Sequence, residues 1–205
     1  MNNLLNMEKK ELIKINSFNC RGLRNQQKRN NIFSWLNKYH YGITLLQETH
    51  SIVTDEQTWV KEWKGQIFFS HGSCHSKGVA ILIPSKLKID LQVSNVFKDT
   101  EGRILLIECN MEQNVFVIIN VYAPTKDKQQ GQLLFLSHLK NIVDQYSDKA
   151  LIIGGDFNTY LDVNLDKLGG MAEKQSIYSE KLRSFCEEFS LIDIFRIRNE
   201  NKMFT

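Results

Sequence analysis

The chain has 205 residues, 42% of them hydrophobic and 24% charged, with a formal net charge of +3; that length supports one sizeable core and argues against two independent domains. The mildly basic balance, without a long Lys/Arg run, permits a polyanionic partner but does not identify one. Four cysteines far apart with no CxxC pair, in a chain of a size that does not need disulfides to fold, favour a reducing, intracellular compartment, while the absence of a signal-peptide core or a span-length apolar stretch argues against any membrane role.

Residues 1–11 read as a flexible leader and residues 12–205 as a single domain. Residues 12–18 are apolar and rich in β-branched side chains, so they form a first strand that ends at Asn19-Cys20-Arg21-Gly22. Residues 26–39 place Ile32, Phe33, Leu36 and Tyr39 on one helical face. A second strand over 42–46 delivers Gln47-Glu48-Thr49-His50 at its end. A helix is expected over 56–64, anchored by Trp59 and Trp63 at i and i+4, which read as core rather than as a base-stacking platform.

Between residues 66 and 122 the apolar runs 67–69, 79–83, 89–96, 104–109 and 115–122 come without intervening helical periods, which predicts a meander of mainly antiparallel strands. His71-Gly72-Ser73-Cys74-His75 crowds metal-binding residue types together but lacks a second ligand pair, so it reads as a turn. Pro124 stops the last run and leaves Tyr122 at its mouth. Residues 131–146 have helical spacing and lead into Leu151-Ile152-Ile153, a short buried strand followed by Gly154-Gly155-Asp156-Phe157-Asn158. A polar loop through Gly169-Gly170, an amphipathic helix over 179–189 and Leu191-Ile192-Asp193-Ile194-Phe195 complete the chain.

Helices at both ends with strands crowded between them predict an α+β fold, a four-layer α/β/β/α sandwich of two face-to-face sheets covered outside by helices. In that arrangement Asn19, Glu48, Tyr122, Asp156 and Asn158 all stand at strand ends, where neighbouring strands could gather them into one cleft. Taken alone, an Asp and an Asn after two glycines are equally well read as turn caps. Together the five polar groups lack the Ser or Cys paired with His that acyl transfer needs. Carboxylate and amide oxygens are instead hard ligands suited to Mg²⁺, and a second carboxylate beside the ion can activate water, so the set suits metal-assisted phosphoester hydrolysis.

The series Phe18-Asn19-Cys20-Arg21-Gly22, Leu46-Gln47-Glu48-Thr49-His50, Gly78-Val79-Ala80-Ile81-Leu82, Asn120-Val121-Tyr122-Ala123-Pro124 and Gly155-Asp156-Phe157-Asn158 resembles the endonuclease/exonuclease/phosphatase superfamily, and most of all the apurinic-type endonuclease domain of non-LTR retrotransposon polyproteins. The resemblance implies a Mg²⁺-dependent (or Mn²⁺-dependent) nuclease that nicks DNA, acts in the nucleus and is followed in the polyprotein by a reverse transcriptase; it specifies no oligomeric state. It implies Glu48 as the metal ligand with Asn19 beside the metal, Asp156 holding the attacking water, Asn158 on the scissile phosphate, and Tyr122 on the phosphate or its leaving side. Arg103 matches a family position near the cleft, but an arginine at a strand start is as readily read as solvated.

Two departures stand out. Arg21 occupies a position where repair enzymes often carry an aspartate. The family also continues beyond Phe204-Thr205 into a Ser-x-Ile-Asp segment and a terminal Ser-Asp-His, so the domain is expected to lack its last strands and to be impaired as a bare chain. The alternatives are a repair-type apurinic endonuclease, another phosphatase of the superfamily, and a non-catalytic retroelement remnant.

Overall fold

The computed structural model describes residues 13–40, 42–87, 91–111, 114–125, 128–166 and 175–199. The leader, the Gly169-Gly170 loop, Ile89 and the Phe204-Thr205 end lie outside them. Two four-stranded sheets pack face to face. The first contains β1 (Ile15–Asn19), β2 (Ile43–Gln47), β3 (Gly65–Ser70) and β4 (Val79–Pro84), in the order β1-β2-β4-β3. The second contains β5 (Gln92–Lys98), β6 (Ile104–Met111), β7 (Asn114–Tyr122) and β8 (Ala150–Asp156), in that order across the sheet.

Helices α1 (Gln26–Tyr39) and α2 (Glu56–Glu62) cover the first sheet through Phe33, Leu36 and Trp59, which together with Trp63 just past α2 pack on Leu46, Phe69, Ala80 and Leu82. Helices α3 (Gln129–Asp144) and α5 (Ile177–Glu188) cover the second through Leu136, Leu139, Val143, Leu182 and Phe185. Two short helices, α4 (Val163–Asp166) and α6 (Ile194–Arg198), complete the described elements. Between the sheets lie Ile43, Leu45, Ile81, Leu105, Ile107 and Ile118. Strand β2 is buried along its whole length because Leu45 faces the other sheet and Leu46 faces the helices, which is why apolar residues occupy both of its faces, with Thr44 and Gln47 buried among them.

The four-layer α+β sandwich is therefore the observed architecture. The single meander is not. Residues 67–69 and 79–83 form an antiparallel pair in the first sheet, and only β5, β6 and β7 form an antiparallel meander, in the second. The remaining pairs that matter for the site are parallel: β1 with β2 through α1, and β7 with β8 through α3. A crossover helix is what allows two strands to run in the same direction. Each of these strand–helix–strand units therefore brings two strand C-termini side by side, Asn19 level with Gln47 and Tyr122 level with Asp156.

Helix α2 stops at Glu62, two residues before the expected end. Trp63 turns extended and donates its indole N–H to the Ile83 carbonyl at 3.3 Å, so it is buried from a strand approach and not from a helix face. Glu62 forms a two-pronged pair with Arg29 of α1, a residue only 4% exposed, whose guanidinium also donates to the Leu23 and Arg24 carbonyls.

Candidate active site at the meeting of two strand pairs

The five expected residues do converge. Asn19, Tyr122 and Asp156 are the last residues of β1, β7 and β8, Glu48 directly follows β2, and Asn158 lies two residues beyond β8. All five are half-buried. The Asn19 carboxamide spends both N–H donors on carboxylates, one on Glu48 Oε1 at 2.9 Å and one on Asp156 Oδ2 at 2.9 Å. Its Oδ1 accepts the Arg21 backbone N–H at 3.1 Å. Glu48 belongs to the first sheet and Asp156 to the second, so one amide joins the two halves of the site.

The Tyr122 phenol lies near Glu48, and burial first, then the influence of Glu48 and the nearby Asp156 charge, push it up to about 12. It is thus a fixed donor at any physiological pH. Asp156 Oδ1 accepts the Asn158 backbone N–H at 2.9 Å, which fixes the rotamer that points Oδ2 at Asn19. Asn158, with φ 49°, donates its side-chain N–H to the Ala123 carbonyl at 2.7 Å and so ties the turn after β8 to the turn after β7. Phe157 between them packs against the core of the second sheet.

The two glycines have separate reasons. Gly155 has φ 138° and a Cβ there would lie 2.0 Å from the Val121 carbonyl oxygen, so β8 can close on β7 at this point only without a side chain. At Gly154 a Cβ would lie 2.7 Å from Leu45 Cδ1 of the facing sheet. Both bring the Asp156 strand end closer to the rest of the site.

Two further contributors stand outside the five expected residues. Arg103 is not solvated: its side chain is 13% exposed, Nη1 donates to the Tyr122 carbonyl at 3.0 Å and the guanidinium carbon lies 5.5 Å from the Tyr122 ring centre. It holds both the backbone and the ring of Tyr122. The signal for it was the Glu101-Gly102-Arg103 motif. The other is Asn120 of β7, fully buried, which donates to the Leu46 and Ala80 carbonyls of the first sheet at 2.9 and 2.8 Å and accepts from Gln47 Nε2 at 2.8 Å. Two buried carboxamides thus clasp the sheets directly beneath the site.

His50 lies 4.0 Å from Glu48 Oε2, yet burial lowers its pKa more than Glu48 raises it, so the ring favours its neutral form. The negative charge of Glu48 is left uncompensated by any close cation among the described hydrogen bonds and ion pairs. The donor set fits a hard divalent cation of the Mg²⁺ type: Glu48 and the spare lone pairs of Asn19 Oδ1 and Asp156 are all oxygens. Among the described residues no group of three or more His, Cys, Asp or Glu is placed to hold a metal. The His71–His75 segment is a turn closed by Ser73 and Ser76.

Residues 15–166 match the Endonuclease/Exonuclease/phosphatase family. The chain belongs to that family. A curated relative, the Transposon TX1 uncharacterized 149 kDa protein of Xenopus laevis, is 34% identical over 189 residues, covering 91% of this chain and 14% of the relative. The chain therefore spans about one seventh of that relative's length. Among solved structures, an AP endonuclease from Archaeoglobus fulgidus matches with a TM-score of 0.69 and 19% identity, over 94% of this chain and 77% of that one. The AP endonuclease LMAP from Leishmania major matches with a TM-score of 0.68 and 15% identity, over 91% and 69%. These two structures share the sandwich of this family member. No described helix is long and apolar enough to cross a membrane.

Proposed function

We propose that this domain is a Mg²⁺-dependent phosphodiester hydrolase that nicks DNA, the target-site endonuclease of a retrotransposon. The observation that carries the reading is the Asn19 carboxamide held at 2.9 Å from both Glu48 and Asp156, with Tyr122 near Glu48 and Asn158 beside Asp156. Similarity to a transposon protein supports DNA as the substrate and is compatible with a reverse transcriptase in the same polyprotein; action on chromosomal DNA in the nucleus is part of the same proposal.

Glu48 and Asn19 Oδ1 would hold the ion, with Mn²⁺ as a substitute; when bound it neutralises charge on the phosphate and leaving oxygen. Asp156 orients a water and takes its proton as the water oxygen bonds to phosphorus and the bond to the leaving oxygen breaks. Asn19 fixes both carboxylates so that they cannot swing apart. The Tyr122 phenol, kept protonated, and the Asn158 carboxamide donate to oxygens of the phosphate as charge develops there.

The test is supercoiled-plasmid nicking by the domain together with whatever follows it in its reading frame. Open circles are expected with Mg²⁺ and not with EDTA, and Glu48→Gln and Asp156→Asn should each slow nicking by roughly 100-fold or more while circular dichroism stays unchanged. Near wild-type nicking by either folded variant would remove that residue from the mechanism. Hydrolysis of a soluble inositol phosphate without nicking would move the domain to the phosphatase branch, and neither activity would leave a non-catalytic remnant.

A further inference from the structure

Glu48 sits in a loop that nothing in its own sequence makes comfortable. Both Glu48 and His50 have left-handed backbones, with φ 52° and 55°, a conformation that costs a non-glycine residue about 1 kcal/mol or more and persists only where the surroundings impose it. Four backbone hydrogen bonds do part of that work: Gly22 and Leu23 donate to the Glu48 and Thr49 carbonyls, and the Thr49 and His50 N–H groups donate to the Gly78 and Lys77 carbonyls. Gly78 itself is in close contact, since a Cβ on it would lie 2.4 Å from Thr49 Oγ1.

A second support runs through side chains. Thr49 and Ser51 are fully buried, and their hydroxyl oxygens are 3.0 Å apart. Ser51 Oγ is 3.0 Å from His71 Nδ1, and His71 Nε2 is 2.8 Å from Glu56 Oε1 at the first turn of α2. The ring lies stacked on Phe69, 5.3 Å between centres, so it cannot turn away. With Glu56 ionised and the His71 ring neutral, the series runs in one direction: His71 donates from Nε2 to Glu56, accepts the Ser51 hydroxyl at Nδ1, and Ser51 in turn accepts the Thr49 hydroxyl. The order resembles a Ser–His–acid triad, but the hydroxyl is buried, so it has no access to a substrate.

We propose that His71 is a positioning residue for the metal site: by accepting the Ser51 hydroxyl it locks Ser51 and Thr49, and through them the left-handed Glu48 loop, in the geometry that presents the Glu48 carboxylate to the ion. This rests on the reading of Glu48 as the metal ligand. His71 touches neither the ion nor substrate. Groups that orient a ligand from behind commonly change metal affinity by 10-fold or more when removed.

The test uses Mn²⁺ binding to the 205-residue chain, measured by electron paramagnetic resonance, with the wild type and four variants. Glu48→Gln examines the underlying reading: loss of Mn²⁺ binding upholds it, and wild-type binding overturns it and the present proposal with it. His71→Ala and His71→Asn then separate positioning from packing, because both lose the ring stacked on Phe69 but only the asparagine keeps an oxygen where Nδ1 accepts from Ser51. The expected result is similar thermal melting for the two variants, about 10-fold weaker Mn²⁺ binding in His71→Ala, and binding restored to within about threefold of wild type in His71→Asn. Ser51→Ala should match His71→Ala. Equal weakening in the alanine and asparagine variants, or wild-type affinity in His71→Ala, would overturn the proposal.

Discussion

Replacing Asn120 with alanine should loosen the site more than it loosens the fold. Asn120 makes two buried donations across the sheets, to the Leu46 and Ala80 carbonyls, and accepts one from Gln47. Truncation leaves the two carbonyls facing a dry void. Gln47 is less affected, because its Nε2 still reaches the Leu45 carbonyl at 3.0 Å and Ser17 Oγ at 3.2 Å. Each lost hydrogen bond costs about 0.5–1.5 kcal/mol and the void adds to that, so the loss should be about 3 kcal/mol, a large share of the roughly 5–15 kcal/mol that holds a domain of this kind together. Leu139→Ala is the matched control: Leu139 is fully buried under α3, away from the clasp, and its truncation should cost a comparable 2–5 kcal/mol or so. Urea unfolding at pH 7 gives both losses as shifts in midpoint at constant slope. Mn²⁺ affinity then separates them, because only Asn120→Ala frees the sheet that carries Asp156 from the sheet that carries Glu48 and Asn19. A loss below about 1 kcal/mol, or equal Mn²⁺ affinity in the two variants, would refute the clasp as the element that aligns the halves of the site.

Asn19→Asp would set a third carboxylate against Glu48 and Asp156 in place of two donors, so the variant should melt lower than wild type in EDTA at pH 7 and regain stability with millimolar Mg²⁺; unchanged melting in EDTA would contradict the bridging amide. Gly155→Ala places a methyl group 2.0 Å from the Val121 carbonyl oxygen and should cost more than about 4 kcal/mol or yield no soluble protein, which expression and urea midpoints measure. Glu62→Gln should cost about 3 kcal/mol at pH 7, because it leaves the buried Arg29 charge short of its counter-charge. The hydrogen bond from Arg29 holds the Glu62 carboxyl below its ordinary 4.5, so the fold binds that proton more weakly than the unfolded chain does. The stabilisation is complete above about pH 4.5 and is lost as pH falls through the lowered value, so the gap between wild type and variant should close in acid. A gap that stays constant from pH 7 to 3 would contradict it.

Much of this protein is legible locally. The helical faces of α1, α3 and α5, the burial of Trp59, the stop at Pro124 and the glycines before Asp156 follow from periodicity and backbone preference, which depend on residues a few positions apart. The candidate site residues are legible too, as polar groups where apolar strands run out. Which sheet a strand joins was not legible. An apolar run at 79–83 satisfies the same alternation whether it pairs with β2 and β3 or continues toward β5, because a strand's pattern records that it has a buried face and not what covers it. The same limit hid the partners of polar residues. Asn19 and Asp156 are 137 positions apart yet share a hydrogen bond, Arg103 owes its burial to Tyr122, and Asn120 reads as one polar residue in an apolar strand. Its worth comes from two carbonyls and an amide on the opposite sheet, groups that are brought within 3 Å only by the packing of one sheet on the other.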